Sequence, residues 1–300
     1  MTDEAGENGV IAYDFPLWRP PSEGDNLIVQ ATLGCRFNAC TFCSMYKTKT
    51  FQARPLAEVV ADIDRAAVAW PDARRVFLAD GDAYCLPTDD LIALCDHLAA
   101  RFPDLQRISA YATPFDILRK GADDIARLKA RRLGLVYLGI ETGWDDLLKR
   151  VAKGSAAQME AALALARTSG LKVSATLILG LGGQSGWREH IDASADLINR
   201  APPIYLSTLQ LGLEEGVAPR FLDRIGPGFV PQDDRGVLVE LHRLVERLAP
   251  PASVIFRSNH ASNALALAGT LPRDRDRLLG EIDAVLDGRA GVRPRWLRGF

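Results

Sequence analysis

No run of apolar residues in this chain is long enough to cross a bilayer. Residues 1–9 are polar and acidic where a secretory signal would be apolar. A basic excess is also missing: 36 Lys and Arg stand against 38 Asp and Glu, a net charge of -2. That balance argues against the broad cationic footprint of a dedicated nucleic-acid binder, and the local run of Arg289, Arg293, Arg295 and Arg298 reads as a solvated stretch. There is no repeat of solenoid length and no low-complexity tract. What the chain does have is 300 residues, 48% of them hydrophobic. This is enough to bury a full core as one large domain or two small ones. A cytoplasmic location is expected from these features, and there the five cysteines would stay reduced.

Short apolar, β-branched runs alternate with stretches of helical period, the pattern of parallel strands joined by crossover helices. Strands are expected over 27–33, 75–79, 107–112, 135–140, 173–179 and 204–209, with a seventh over 253–256. Between them, Leu56, Val59, Val60, Ile63 and Ala67 share one helical face, as do Trp144, Leu147, Leu148 and Val151. Leu278, Leu279, Ile282, Val285 and Leu286 repeat the period near the end of the chain. Helical packing accounts for all of these. Six or seven β/α units make either an open doubly wound sheet or a barrel, and both bind ligands at the carboxyl ends of their strands.

The first strand runs into residues 34–47, where Cys35, Cys40 and Cys43 fall within nine residues. In a reducing compartment such clustering points to a metal rather than to disulfides. The two residues between Cys40 and Cys43 form the tight turn common to zinc and iron–sulfur sites. Structural zinc takes four protein ligands, and no fourth Cys or His lies at motif spacing; Cys85, Cys95 and His97 all follow the second strand. Three thiolates on a four-iron cluster leave one iron open, as catalysis requires.

This loop resembles the signature of the radical S-adenosylmethionine superfamily, in which three cysteines bind a 4Fe–4S cluster and the methionine part of S-adenosylmethionine chelates the fourth iron. Four residues separate the first two cysteines here, where the family usually has three. The resemblance makes Cys35, Cys40 and Cys43 the cluster ligands and Phe42 an aromatic packed beside the cofactor. Three further strand ends extend it in chain order. Asp80-Gly81-Asp82 is similar to the motif that holds the methionine amino group, Asp80 or Asp82 serving as acceptor. Gly139-Ile140-Glu141-Thr142-Gly143 and the helix ending in Lys153-Gly154 are similar to the coproporphyrinogen-oxidase-like and elongator-like branch. This places Glu141 beside the ribose or methionine part of the cofactor, although a carboxylate there would also cap the next helix. The segment 176–185, with Ile178 and Gly180, is similar to the one that supports adenine. A phosphate cradle ranks second, because the lysine and Ser/Thr of a phosphate loop are missing.

The resemblance implies an α/β fold, a partial parallel (β/α) barrel of six to seven units. It has an N-terminal extension over 1–24, a core over 25–212, and a C-terminal extension over 213–300 completing or covering the barrel. It implies an enzyme that cleaves S-adenosylmethionine reductively to a 5′-deoxyadenosyl radical, which takes hydrogen from an unidentified small-molecule substrate. A reducing donor such as a flavodoxin or ferredoxin would supply the electron, with neither membrane nor nucleic acid as a partner. Tyr111, at the end of the third strand, and His260, in the polar run Arg257-Ser258-Asn259-His260, are the candidate substrate contacts. A hydrogen-bonded turn explains the polar run equally well. The rival class is a haem or cluster carrier that keeps the fold without turnover; a structural zinc protein comes third.

Overall fold

The structure, a computed structural model, describes residues 11–299. Residues 1–10 of the expected N-terminal extension lie outside the described residues. In chain order the elements are β1 (Leu27–Gln30), β2 (Thr32–Leu33), β3 (Gln52–Ala53), α1 (Leu56–Ala69), β4 (Arg75–Ala79), α2 (Thr88–Arg101), β5 (Arg107–Tyr111) and α3 (Pro114–Ala130). There follow β6 (Leu133–Glu141), α4 (Asp145–Arg150), α5 (Ala156–Thr168), β7 (Lys172–Leu179), α6 (Gly183–Arg200) and β8 (Tyr205–Gln210). The chain ends with α7 (Ala218–Ile225), α8 (Asp234–Arg247), β9 (Val254–Ser258), β10 (Leu267–Leu271) and α9 (Arg275–Leu286). The main sheet has eight strands in the order β1-β4-β5-β6-β7-β8-β9-β10 and is not closed. Its pairs β1–β4, β4–β5, β5–β6, β7–β8 and β8–β9 are parallel, whereas β9 and β10 run antiparallel. The expected α/β class and partial parallel architecture are therefore present.

The described chain divides into two compact units. The first comprises the chain up to Asn38, Met45–Tyr137 and Leu165–Lys172; the second comprises Ala39–Ser44, Leu138–Ala164 and the chain from Val173 onward. In the first unit, Val29, Val76, Phe77, Leu78, Ile108 and Ala110 are buried completely, as strands covered on both faces require. Helix α1 turns Val59, Asp62, Ile63 and Ala66 inward, a stripe shifted from the expected one, and Leu56 is exposed. The shift follows from Asp62, whose carboxylate is held by Arg54 at 2.6 Å and by Arg65, so the paired charge takes an inner position. Helix α3 starts cleanly because the Thr113 side chain accepts from Asp116 N–H and Pro114 stands at the first helical position.

Two strand expectations need correction. The run over 27–33 is not one strand: residues 27–30 pair parallel with β4, while Thr32 and Leu33 leave to pair antiparallel with Ala53 and Gln52. Thr32 is buried and Leu33 half-buried, so the apolar run carries no mark of the break. Strand β10 was not expected, because Gly269 at its centre weakens the strand pattern.

Glu23, in the helical turn Pro21–Glu23, is completely buried and satisfied from several sides. It accepts from Arg107 at 2.7 Å, from Ser109 at 3.0 Å and from the Tyr137 hydroxyl. Truncating Glu23→Ala strands these donors in the interior and is expected to cost about 3 kcal/mol. Glu23→Gln should cost less, and urea unfolding of the two variants measures the difference.

Candidate functional site

The first unit carries the start of the cysteine loop. Asp80, at the end of β4, has no exposure to water. Its Oδ2 accepts from Gly34 N–H and Lys49 Nζ, both at 2.9 Å, and its Oδ1 accepts from Gln30 Nε2 at 3.0 Å. Both oxygens are committed to fastening the loop that begins at Gly34. Asp82, also buried, lies 3.6 Å from Arg36 Nε, and the Arg36 guanidinium reaches Asp116 at 2.6 Å. Between the two acids stands Gly81, packed where a side chain has no room. A Cβ there would lie 2.6 Å from Tyr46 Cε2 and 2.9 Å from Cys35 Cβ. Cys35 is half-buried.

The second unit carries the other two cysteines. Cys40 is buried, Cys43 is half-buried, and none of the five cysteines is in a disulfide. Thr41 N–H donates to Val151 O at 3.2 Å, tying the loop to the end of α4. Phe42 packs on a cluster that includes Leu147, Val151, Ile178, Leu181 and Phe221. Thr41 Oγ1 is buried without a hydrogen-bond partner among the described residues. Lys153 Nζ lies 3.1 Å from Glu141 Oε1. Burial works against the charged form of Lys153, but its interactions with Cys40, Glu141 and Cys43 outweigh it and hold the ammonium above the ordinary lysine range. Glu141 itself takes a left-handed backbone (φ 65°), a strained conformation for a non-glycine residue. Its carboxylate folds back into the space that a side chain at Gly139 would fill, which accounts for the Gly139-x-Glu141 pattern. Glu141 does not cap α4: the N-cap is Trp144, with no side-chain hydrogen bond.

Two buried ionisable residues fasten the strand ends. His190 of α6 bridges β6 and β7: its Nδ1 lies 2.7 Å from Thr142 Oγ1 and its Nε2 3.0 Å from Ile178 O. A carbonyl only accepts, so Nε2 donates to it and Nδ1 accepts from the Thr142 hydroxyl. One turn further along α6, Ser194 Oγ accepts from Gly143 N–H at 2.8 Å. At Gly180, the backbone N–H donates to Glu240 Oε2 of α8 at 2.6 Å, and Glu240 Oε1 accepts from Gln232 at 3.0 Å. Neither His190 nor Glu240 is singled out by the sequence, whereas Lys153 belongs to the Lys153-Gly154 stretch named there. Glu240 did leave a signal there, as an acid on the apolar face formed by Val237, Leu238, Leu241 and Leu244.

The two candidate substrate contacts fare differently. Tyr111 is half-exposed and stacks edge-on against Phe77 and Tyr137. His260 spends Nδ1 within its own turn, on Ser262 N–H at 3.1 Å and Ser262 Oγ at 2.8 Å. Asn263 bonds Thr208 O and Gln210 N–H, so much of the polar run is a hydrogen-bonded turn. Among the described residues no three His, Cys, Asp or Glu side chains are gathered as the site of a metal ion. A four-iron cube spreads its thiolates over a wider frame than one ion does.

Burial pushes the Glu240 carboxyl up to about 7, with the donors Gly180 and Gln232 pulling it back. The folded protein therefore binds this proton more tightly than the unfolded chain. The associated stability is complete below about pH 4.5 and is lost as pH rises through 7. His190 acts in the opposite sense: burial lowers it to about 4, so its contribution is present above about pH 6.5 and lost as pH falls through 4. Glu240→Gln removes the first effect alone. Its stability relative to the unsubstituted protein is expected to rise by about 3 kcal/mol between pH 4 and pH 8, as read by urea unfolding at each pH.

The sequence pattern described as the radical SAM superfamily matches residues 29–198. No curated protein sequence matches the chain. Among solved structures, coproporphyrinogen III oxidase from Escherichia coli, itself described as a radical SAM enzyme, superposes with a TM-score of 0.55 at 18% identity. The overlap covers 75% of this chain and 52% of the oxidase. The FeFe-hydrogenase maturase from Carboxydothermus hydrogenoformans gives a TM-score of 0.50 at 17% identity, over 85% of this chain and 56% of its own. Methylornithine synthase gives 0.51 at 16%, over 76% and 64%. A cobalamin-dependent S-adenosylmethionine radical enzyme gives 0.50 at 18%, but this chain spans only 29% of its length. Identities this low show a shared fold. The family match, which runs from β1 into the last turn of α6 and takes in more than half the chain, shows more: this protein belongs to the radical SAM superfamily.

Proposed function

We propose that the protein is a radical S-adenosylmethionine enzyme acting on a small molecule, with Cys35, Cys40 and Cys43 as ligands of a 4Fe–4S cluster. The observation that carries this reading is the set of three cysteines, none in a disulfide, in one loop of a chain that belongs to this superfamily. The donor set fits the group. The thiolates are soft ligands, the Lys153 ammonium offsets the negative charge at Cys40 and Cys43, and the buried Thr41 hydroxyl stands beside them without a protein acceptor. Held by these three cysteines, the cluster would supply the electron for reductive cleavage of S-adenosylmethionine, the chemistry that would start hydrogen abstraction from substrate.

The chain's own residues bind and orient. Asp80 is saturated by Gly34, Lys49 and Gln30. The reading therefore gives the methionine ammonium to Asp82 and the backbone at Gly81. Glu141, steadied by Lys153, is read as the acceptor for the ribose or methionine part, and Ile178 and Gly180 as the adenine support. His190 and Glu240 position that support through Ile178 O and Gly180 N–H. Phe42 keeps water from the cluster side of the site. The reading divides the chain into a core over 25–212 and a C-terminal extension over 213–300 that reaches back through Glu240. A flavodoxin or ferredoxin remains the expected electron donor. Among the described residues no helix is long and apolar enough to cross a membrane.

Anaerobic reconstitution with iron and sulfide, followed by reduction with S-adenosylmethionine present, is expected to yield 5′-deoxyadenosine. Cys40→Ala should yield none. A stable cluster without nucleoside, in the presence of candidate substrates, would favour the haem or cluster carrier instead. Gly81→Ala forces its new methyl against Tyr46 and Cys35. It should lower the iron retained per chain several-fold while the far-ultraviolet circular dichroism stays unchanged.

A further inference from the structure

The interior of a closed β/α barrel is filled by packed side chains. In the second unit one face of the sheet is not filled. Alternate residues of β7, β8 and β9 are buried, whereas between them Thr176 and Ser207 are half-buried, Arg257 is exposed and Ile178, at the end of β7, is buried in its own cluster. Strand register sets these positions in rows. Thr176 stands beside Ser207, and Ser207 beside Arg257. One rung towards the amino ends Ser174 stands beside Tyr205, and one rung towards the carboxyl ends Ile178 stands beside Leu209. Residues two apart on a strand share a face, so all these belong to one surface.

The middle row has an unusual charge. Arg257 is exposed, and its Nη1 donates only to the neutral carbonyls of Phe256 at 2.8 Å and Gly269 at 3.4 Å. Among the described residues it has no carboxylate partner, and no Asp or Glu occupies these rows. The hydroxyls of Thr176 and Ser207 make no hydrogen bond to protein among the described residues. A cation and two unspent hydroxyls in line on an open sheet face complement a single negative charge joined to a polar group. One guanidinium matches the two oxygens of a carboxylate. A phosphate dianion calls for further cations or a helix N-terminus, and this row has neither.

We propose that the row Thr176–Ser207–Arg257 binds the substrate and that the substrate is a small organic acid. Its carboxylate lies on Arg257 and a hydroxyl or similar group lies on Ser207 and Thr176. The next rung, through its half-buried Leu209, faces the carbon that reacts. From that rung to Arg257 is two strands across and two residues along, roughly 12 Å between backbones, and the arginine side chain shortens that span to the length of a small acid. The role as substrate rests on the enzyme reading above; the anion site does not, so the two can fail separately.

The test is saturation-transfer NMR on the purified chain with 4-hydroxybutyrate and 6-hydroxyhexanoate, their amides, butyrate, and butyl phosphate. The acids are expected to bind at least about ten-fold more tightly than the amides, the scale of a lost charge-assisted hydrogen-bond pair. Arg257→Gln should abolish that preference, and Ser207→Ala should weaken the hydroxy acids but not butyrate. Cys40→Ala should bind the acids like the unsubstituted protein. That result keeps the anion site standing even if no 5′-deoxyadenosine is ever formed. Equal binding of acids and amides, a preference that survives Arg257→Gln, or binding of butyl phosphate alone would overturn the proposal.

Discussion

The carboxylate of Asp80 sits entirely out of water, and such a group is tolerable only when its lone pairs are filled. Three donors fill them: the backbone of Gly34, the ammonium of Lys49 and the amide of Gln30. Because the Gly34 N–H is one of the three, the point where the chain leaves β1 and β2 for the cysteine loop is held by the strongest polar interaction available at that strand end. The apolar cores can be repacked in many ways at similar cost, whereas this junction has one arrangement that satisfies every group. Cys35 and the close packing of Tyr46 under Gly81 follow from it.

The same solution recurs in the second unit with different chemistry. A strand that stops short of a helix leaves backbone groups that must be paired. At β6 and β7 the partners are His190 and Ser194 from α6; at Gly180 the partner is Glu240 from α8. Burial drives the two ionisable groups towards their uncharged forms, so near neutrality His190 is neutral and Glu240 stands close to its own midpoint. The loop after β7 is thus held by a residue from beyond the matched family segment. This gives the last third of the chain a part in shaping the loop assigned to cofactor.

Charge is distributed with a consistent logic. Lys153 and Glu141 are paired beside Cys40 and Cys43, and Arg36 is shared by Asp82 and Asp116. Buried charges in a region of low dielectric need such partners. Arg257 departs from this rule, and it does so on the sheet face that the protein leaves open. An exposed cation costs little in water, but it is available to a ligand in a way that a paired one is not.

Much of this was legible in the residues alone, for reasons of short range. The alternation of apolar runs with helical periods follows from the geometry of strands and helices, so seven of the eight main-sheet strands stood at or near their places. The cysteine spacing was equally local, since Cys35, Cys40 and Cys43 all lie in one short loop. The residues that tertiary structure alone decided are those whose partners lie far away in sequence. The break at Ala31 depends on whether β3 is there to receive β2. The commitment of Asp80 to the loop depends on Gln30 and Lys49, and the roles of His190 and Glu240 depend on which backbone groups they meet. The row Thr176–Ser207–Arg257 exists only because strand register aligns three positions spread over some eighty residues. Periodicity tells which face a side chain takes, but the neighbour across the sheet is set by register, and no single stretch of sequence encodes register.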